Sequence, residues 1–520
     1  MRNLHSFFEI LKFPIEVIFI SFAMMCIGNL ITNPALGLTT IIHYNSVQML
    51  GDVLLQTGRF LIVNFPLLIM IRMVARKGGA GITFISCFAG LSAFLVATIF
   101  FGRTDLPTSA YSQILGLSVN TTSSTTLTSI TRYPYQMGLI GIAMIVMITL
   151  LCYNRSKKKN EFGFFGFISK EASCTLRTVF FCFIVGFIMS FVWGYVVDCI
   201  QELIHFISVD TTNPINLTLF GVLDGLLSTL GLGGLIRQPF WYGTSGGTWV
   251  NVAGASMAGD VNIWSSQVLA GNITGISGRF ITPYYILNIF AIPGLIWGLY
   301  SLYTDPIDKR RKTLLVVIAT VFSMIGGTLL PVQLMLLFLC PLLFIFHLGY
   351  TGILFGVLQV LHCYLGYSST SALVMTALPG TLPELLTYLK NPSLHQTILI
   401  LCIVGFVTLF VYFFTTRLYF THGAIDLFNT GDLDRVVSGT IKAVGGISNI
   451  KMVQSTIYQL TVQVYDPSKV DVNRLKRLGS YRVYETRAGF RIGYGASSTM
   501  VRIGIGKAMR DSIRTIKTVK

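Results

Sequence analysis

Long apolar runs punctuated by basic clusters constrain this chain more than any other feature. A helix needs about 20 apolar residues to cross a bilayer. Runs of that order fall near residues 14–34, 56–74, 82–101, 136–153, 177–199, 215–235, 281–303, 313–330 and 396–416, with one or two more inside 334–366. The pattern predicts a polytopic α-helical membrane protein with about ten spans. Composition agrees, since 53% of the residues are hydrophobic and only 11% are charged, unlike a soluble globular chain.

The charges are unbalanced, with 38 Lys and Arg against 21 Asp and Glu. They gather at Arg72–Lys77, Arg155–Lys159, Lys309–Lys312 and from Arg417 onward. Cytoplasmic loops of membrane proteins carry such an excess, so these clusters and the N-terminus are assigned to the cytoplasm. The stretches Arg103–Gln136 and Gln201–Pro214 are polar but poor in Lys and Arg, and are assigned to the outside. No small-residue cleavage site follows the first apolar run, which is read as a retained span.

Gly231–Gly278 is rich in Gly, Ser, Thr and Asn and lies between spans without a charge cluster. It reads either as an outer loop or as irregular backbone lining a solute cavity, since such backbone survives at membrane depth only where it is buried in protein or lines a wet cavity. The nine cysteines show no C-x-x-C pair, and none follows Cys402. The seven histidines are scattered without ligand spacing. No metal, nucleotide loop, hydrolase triad or other cofactor site is expected.

After Arg417 the character changes. Residues 421–431 read as a linker and 432–520 as a small α/β domain with helix Leu433–Val444, strand Thr456–Val464, helix Val472–Leu478, strands Arg482–Thr486 and Phe490–Tyr494, and helix Ser497–Ile513. From Thr421 to Lys520 there are 16 Lys and Arg against 7 acids, a basic surface suited to an acidic protein or an anionic lipid. No aromatic-interleaved or recognition-helix pattern points to nucleic acid.

In this order, "EFGFFGFISKEAS" (161–173), "GLGGLIRQPFWYG" (231–243), "AGD" (258–260), "GGTLLPVQLMLLFLCPLLFIFH" (326–347) and "DPSKVDVNRLKRLGS" (466–480) resemble the glucose superfamily of the bacterial phosphoenolpyruvate-dependent sugar phosphotransferase system (PTS). The resemblance implies a IIC membrane transport domain over 1–420 and a IIB domain over 432–520. It further implies a homodimer in the bacterial inner membrane, with the C-terminal domain cytoplasmic and a cysteine that relays phosphate to a bound sugar.

The chemical residues of that family are replaced. Its paired histidines in G-L-H-H fall on Gly233 and Gly234, and the Asn that follows falls on Arg237. With its G-I-T-E-P-I-E motif aligned on Pro331, the two glutamates fall on Leu330 and Gln333. With N-I-T-N-L-D-A-C-I-T-R-L-R-V laid on Asn449 and Ile450, the phosphorylated cysteine falls on Thr456 and the arginines on Gln459 and Thr461. A one-residue shift would place Ser455 there instead. A threonine or serine hydroxyl needs an adjacent base to act as a nucleophile, and Ser455–Tyr465 contains no His, Asp, Glu or Lys. Thr456 is read as the first residue of a strand.

Arg237, Gln238, Trp241, Asp260 and Gln333 are the candidate solute-binding residues. Arg237 could bind an acidic group, snorkel to an interface or pair with Asp260. Phe240, Trp241 and Tyr242 could stack on a sugar or form an interfacial belt. The expected function is a permease that moves or binds a sugar or sugar-derived solute without phosphorylating it. A membrane sensor whose basic domain holds a cytoplasmic partner ranks second, and a working PTS permease third.

Overall fold

The computed structural model of the protein describes residues 2–32, 44–77, 80–112, 114–122, 129–158, 169–250, 254–271, 273, 275–303, 306–327, 329–367, 380–423, 433–456, 458–480, 482–486 and 489–518. Most of the 161–173 motif and of the 421–431 linker lies outside them. Among the described residues, seven helices are long and apolar enough to cross a bilayer. They are Leu11–Thr32, Gly81–Phe101, Gly138–Ser156, Glu171–Val209, Thr282–Ser301, Pro341–Val360 and Pro392–Thr421. The helices Asn45–Val63 and Phe65–Ala75, bent by 58°, make an eighth if taken as one span. Pro66 brings no N–H to Ile62, which breaks the ladder at the bend. The chain is thus a polytopic helical membrane protein.

Three expected runs resolve differently. Residues 215–235 form the Pro214–Thr229 helix, 16 residues long, followed by a turn and a second helix, Gly234–Trp241. Residues 313–330 and the start of 334–366 form the shorter apolar helices Lys312–Gly326 and Leu329–Leu339. Residues 201–209, expected to begin an outer loop, continue the 40-residue helix Lys170–Val209.

The chain divides into two compact units, Ile10–Tyr284 with Leu348–Ile400, and Met1–Glu9 with Tyr285–His347 and Leu401–Lys520. In the first, the Lys170–Val209 helix starts at Ser169, whose side chain accepts Ala172 N–H at 3.2 Å, and packs along Ala80–Phe101. Phe180, Phe181, Phe187, Phe191 and Tyr195 on this helix are exposed, as a lipid-facing surface requires. Two short antiparallel hairpins, β1 (Val119–Thr122) with β2 (Ser129–Arg132) and β3 (Thr248–Val250) with β4 (Ser256–Ala258), interrupt the helices. At the core of this unit Phe220 meets Phe280 and Phe240 edge-on, with ring centroids 4.8 and 5.0 Å apart.

In the second unit, the C-terminal α/β module builds a four-stranded antiparallel sheet. Its strands are β5 (Ile450–Ser455), β6 (Leu460–Val464), β7 (Arg482–Thr486) and β8 (Gly489–Gly493), in the order β5-β6-β8-β7. Helices Leu433–Ala443, Val472–Arg477 and Ser498–Thr518 accompany it. Val437, Leu460, Val462, Leu475, Phe490, Ile492, Val501 and Ile505 close an apolar core. Gly489 lets β8 lie against β6, since a Cβ there would stand 2.1 Å from Val462 O. The expected strand Thr456–Val464 is corrected, because only its second half pairs and β5 precedes it. Thr456 closes the hairpin turn, its N–H donating to Gln459 O at 2.8 Å and its Oγ1 accepting Gln459 N–H at 3.1 Å.

Candidate functional site

The Pro214–Thr229 helix begins with Asn213, whose side chain accepts Ile215 N–H at 2.9 Å, and with Pro214, which has no N–H to waste in the first turn. It ends in a Schellman turn on Gly231, which takes the left-handed conformation at φ +78°. Leu232 N–H donates to Leu227 O at 2.7 Å and Gly231 N–H to Ser228 O at 3.0 Å. Gln136 Nε2 holds the outside of the turn through Gly231 O at 2.8 Å. The chain reverses, and the Gly234–Trp241 helix packs back on its predecessor.

That reversal brings Arg237 onto Asp224. Arg237 Nε donates to Asp224 Oδ1 at 2.6 Å and Nη2 to Oδ2 at 2.9 Å, a bidentate fork. Ser228 Oγ donates to Oδ1 at 3.2 Å, and the Tyr284 hydroxyl donates to Oδ2. The guanidinium also lies 5.2 Å from the Trp241 ring centroid and 5.5 Å from that of Tyr284. Asp224 is 2% exposed, while the Arg237 side chain keeps 20%. The fork engages both Nε and Nη2 of the guanidinium.

Gly234, Arg237, Gln238 and Trp241 stand at i, i+3, i+4 and i+7, one face of the helix. Gly234 opens that face, because a Cβ there would meet nothing within 4 Å. Gln238 Nε2 donates to Thr108 Oγ1 at 2.8 Å, which leaves its carbonyl as an acceptor. Trp241 is buried beneath Arg237, and Phe240 is buried as well. Both rings pack inside the unit and do not form an exposed belt.

Asp260 does not pair with Arg237. It is buried at the start of the Asp260–Leu269 helix, where Oδ1 accepts Gly278 N–H at 2.8 Å and pins the loop's far end. Gln333 belongs to the other unit, where it is buried in a chain of its own. Its Nε2 lies 3.2 Å from His347 Nε2, and His347 Nδ1 lies 2.8 Å from the Tyr412 hydroxyl.

Asp224, Ser228 and Tyr284 were not among the expected residues. The available signal was Asp224 itself, the one acid in the apolar run 215–235, where an ionisable side chain is functional by default. Among the described residues no group of His, Cys, Asp or Glu could hold a metal ion. No protein-family model matches the chain.

Chemically, this site offers hydrogen-bond donors and acceptors around a neutralised ion pair. In the C-terminal module Thr456 is bound into its turn, and Ser455 is buried with its side chain inside. The Asp466 carboxyl there is held below the usual carboxylate range by hydrogen bonds from Ser468.

Proposed function

We propose that the protein is a permease of the bacterial inner membrane, built on the plan of the glucose-superfamily IIC and IIB domains, that moves or binds a neutral sugar-like solute without phosphorylating it. The observation that carries this reading is the Arg237–Asp224 fork. A lone guanidinium would favour an acidic solute, whereas one already neutralised by a carboxylate suits hydroxyl groups. Gly234 supplies the space and Gln238 an acceptor. At the position matching the relay cysteine, Thr456 has its hydroxyl committed to Gln459, and phosphoryl transfer has no nucleophile. The N-terminus and C-terminal module are assigned to the cytoplasm by the basic clusters, and a homodimer follows from the resemblance.

The test combines two assays on one preparation. Purified protein is incubated with labelled phosphoenolpyruvate, the general phosphotransferase proteins and a glucose-class IIA domain, beside a cysteine-bearing control permease. The expected result is label on the control alone, with saturable uptake of a neutral sugar into proteoliposomes containing this protein. Label on Ser455 or Thr456 would overturn the absence of phosphotransfer. Failure of every neutral sugar in uptake and binding would overturn the solute class.

A second reading, a membrane-bound sensor, is favoured by the cationic surface of the C-terminal module.

A further inference from the structure

A cleft of about 560 Å³ opens on the C-terminal module between helices Leu433–Ala443 and Val472–Arg477. Arg435, Ser438 and Lys442 stand at i, i+3 and i+7 on the first helix, and Arg474 and Arg477 at i and i+3 on the second, all lining the cleft. Gly439 lets the helices approach, since a Cβ there would come within 2.6 Å of Leu478 Cδ2. The two cationic rows therefore share one hollow.

Asp471 is the sole acid of the lining, and it is already engaged. Its Oδ1 caps Arg474 N–H at 2.8 Å, and its Oδ2 lies 4.0 Å from Arg477. Among the described residues, Arg435, Lys442 and Arg474 form no ion pair within 4.0 Å. Four cations around one hollow repel one another, so an anion entering it is favoured over the empty state. The volume falls in the range of small-ligand sites, roughly 300–1,000 Å³. Guanidinium forks match phosphate oxygens in pairs, while Lys442 adds a point charge and Ser438 a hydroxyl donor.

We propose that this cleft is an anion site for phosphate groups, supplied either by a free polyphosphorylated small molecule or by the headgroup of a membrane lipid. The site is separate from the solute face around Arg237 and stands whether or not that face carries sugar.

The test uses the full chain in nanodiscs. In one arm the discs contain only phosphatidylcholine, and sodium tripolyphosphate is titrated in. In the other no tripolyphosphate is present, and phosphatidylglycerol replaces part of the phosphatidylcholine. Hydrogen exchange of the two helices is read in both arms, with equilibrium binding in the first. The variants are R474E/R477E, the charge-preserving cleft-filler S438F, and K451E/K507E as a charge-matched control outside the cleft.

Wild type and K451E/K507E are expected to show protection, while R474E/R477E and S438F lose ~10-fold or more in the midpoint concentration, as loss of charge-assisted contacts implies. Protection in the first arm identifies a free phosphate ligand, and protection in the second a lipid headgroup. No protection of wild type in either arm overturns the proposal. Equal weakening in K451E/K507E overturns it too, since binding would then follow net charge alone. If R474E/R477E does not fold, S438F decides by the same criterion.

Discussion

Arg237 grips Asp224 through two parallel hydrogen bonds although 13 residues and a helix end separate them. Removing one partner of a buried pair leaves the other charged and unmatched, at a cost of roughly 3–5 kcal/mol. Asp224→Asn and Arg237→Gln should each lower the thermal midpoint of the purified protein sharply, and the double variant should recover most of the loss. Strictly additive losses in the double variant would show that the two side chains are not coupled.

Neighbouring glycines should behave oppositely. A Cβ at Gly233 would press within 2.5 Å of Ser228 Oγ, which itself bonds Asp224, so Gly233→Ala is expected to cost about 1–3 kcal/mol of stability. Gly234 faces open space. Gly234→Trp should leave the thermal midpoint unchanged while weakening solute affinity ~10-fold, equivalent to about 1.4 kcal/mol. Unchanged solute affinity in a folded Gly234→Trp protein would remove this face from the transport pathway.

Thr456 is a turn residue, so its hydroxyl should matter to folding and not to chemistry. Thr456→Val removes the acceptor for Gln459 N–H and is expected to cost about 1 kcal/mol, read as faster hydrogen exchange in the β5–β6 hairpin. Solute uptake should be unaffected. A fall in uptake without faster exchange would give the hydroxyl a direct role.

Alkali should loosen the C-terminal module through Tyr494. Burial pushes its phenol up to about 12, against a smaller opposing effect of its hydrogen bond with Thr440. An unfolded tyrosine ionises near pH ~10. Between those values the unfolded state has lost a proton that the folded state keeps, so stability falls as pH rises from about 10 to about 12. Tyr494→Phe should flatten that part of the stability profile. The check is module hydrogen exchange, corrected for its intrinsic pH dependence, alongside tyrosinate absorbance.

Much of the membrane portion was legible because an apolar run long enough to cross a bilayer has few other uses. The runs at 82–101, 136–153 and 396–416 became helices with little change. Run 215–235 did not, because hydropathy registers Leu230 and Leu232 but not the left-handed turn at Gly231 between them. The Arg237–Asp224 pair was hidden for the same reason, since no helical or strand period joins residues across a reversal. β5 was missed because Lys451, Gln454 and Ser455 dilute its alternation, and its pairing with β6 supplies what local propensity does not. Phe240 and Trp241 carried the composition of an interfacial belt, and only tertiary packing distinguishes a belt from a core.

The turn at Gly231 also sets an order of events during synthesis. Asp224 leaves the ribosome 13 residues before Arg237, a delay of roughly one to three seconds at ordinary elongation rates. During that interval the carboxylate has no cationic fork. The Pro214–Thr229 helix rises only about 24 Å, short of the roughly 30 Å hydrocarbon layer. A helix of that length with an unmatched carboxylate is a poor span by itself, and the charge is neutralised only once the turn at Gly231 has brought Arg237 onto it.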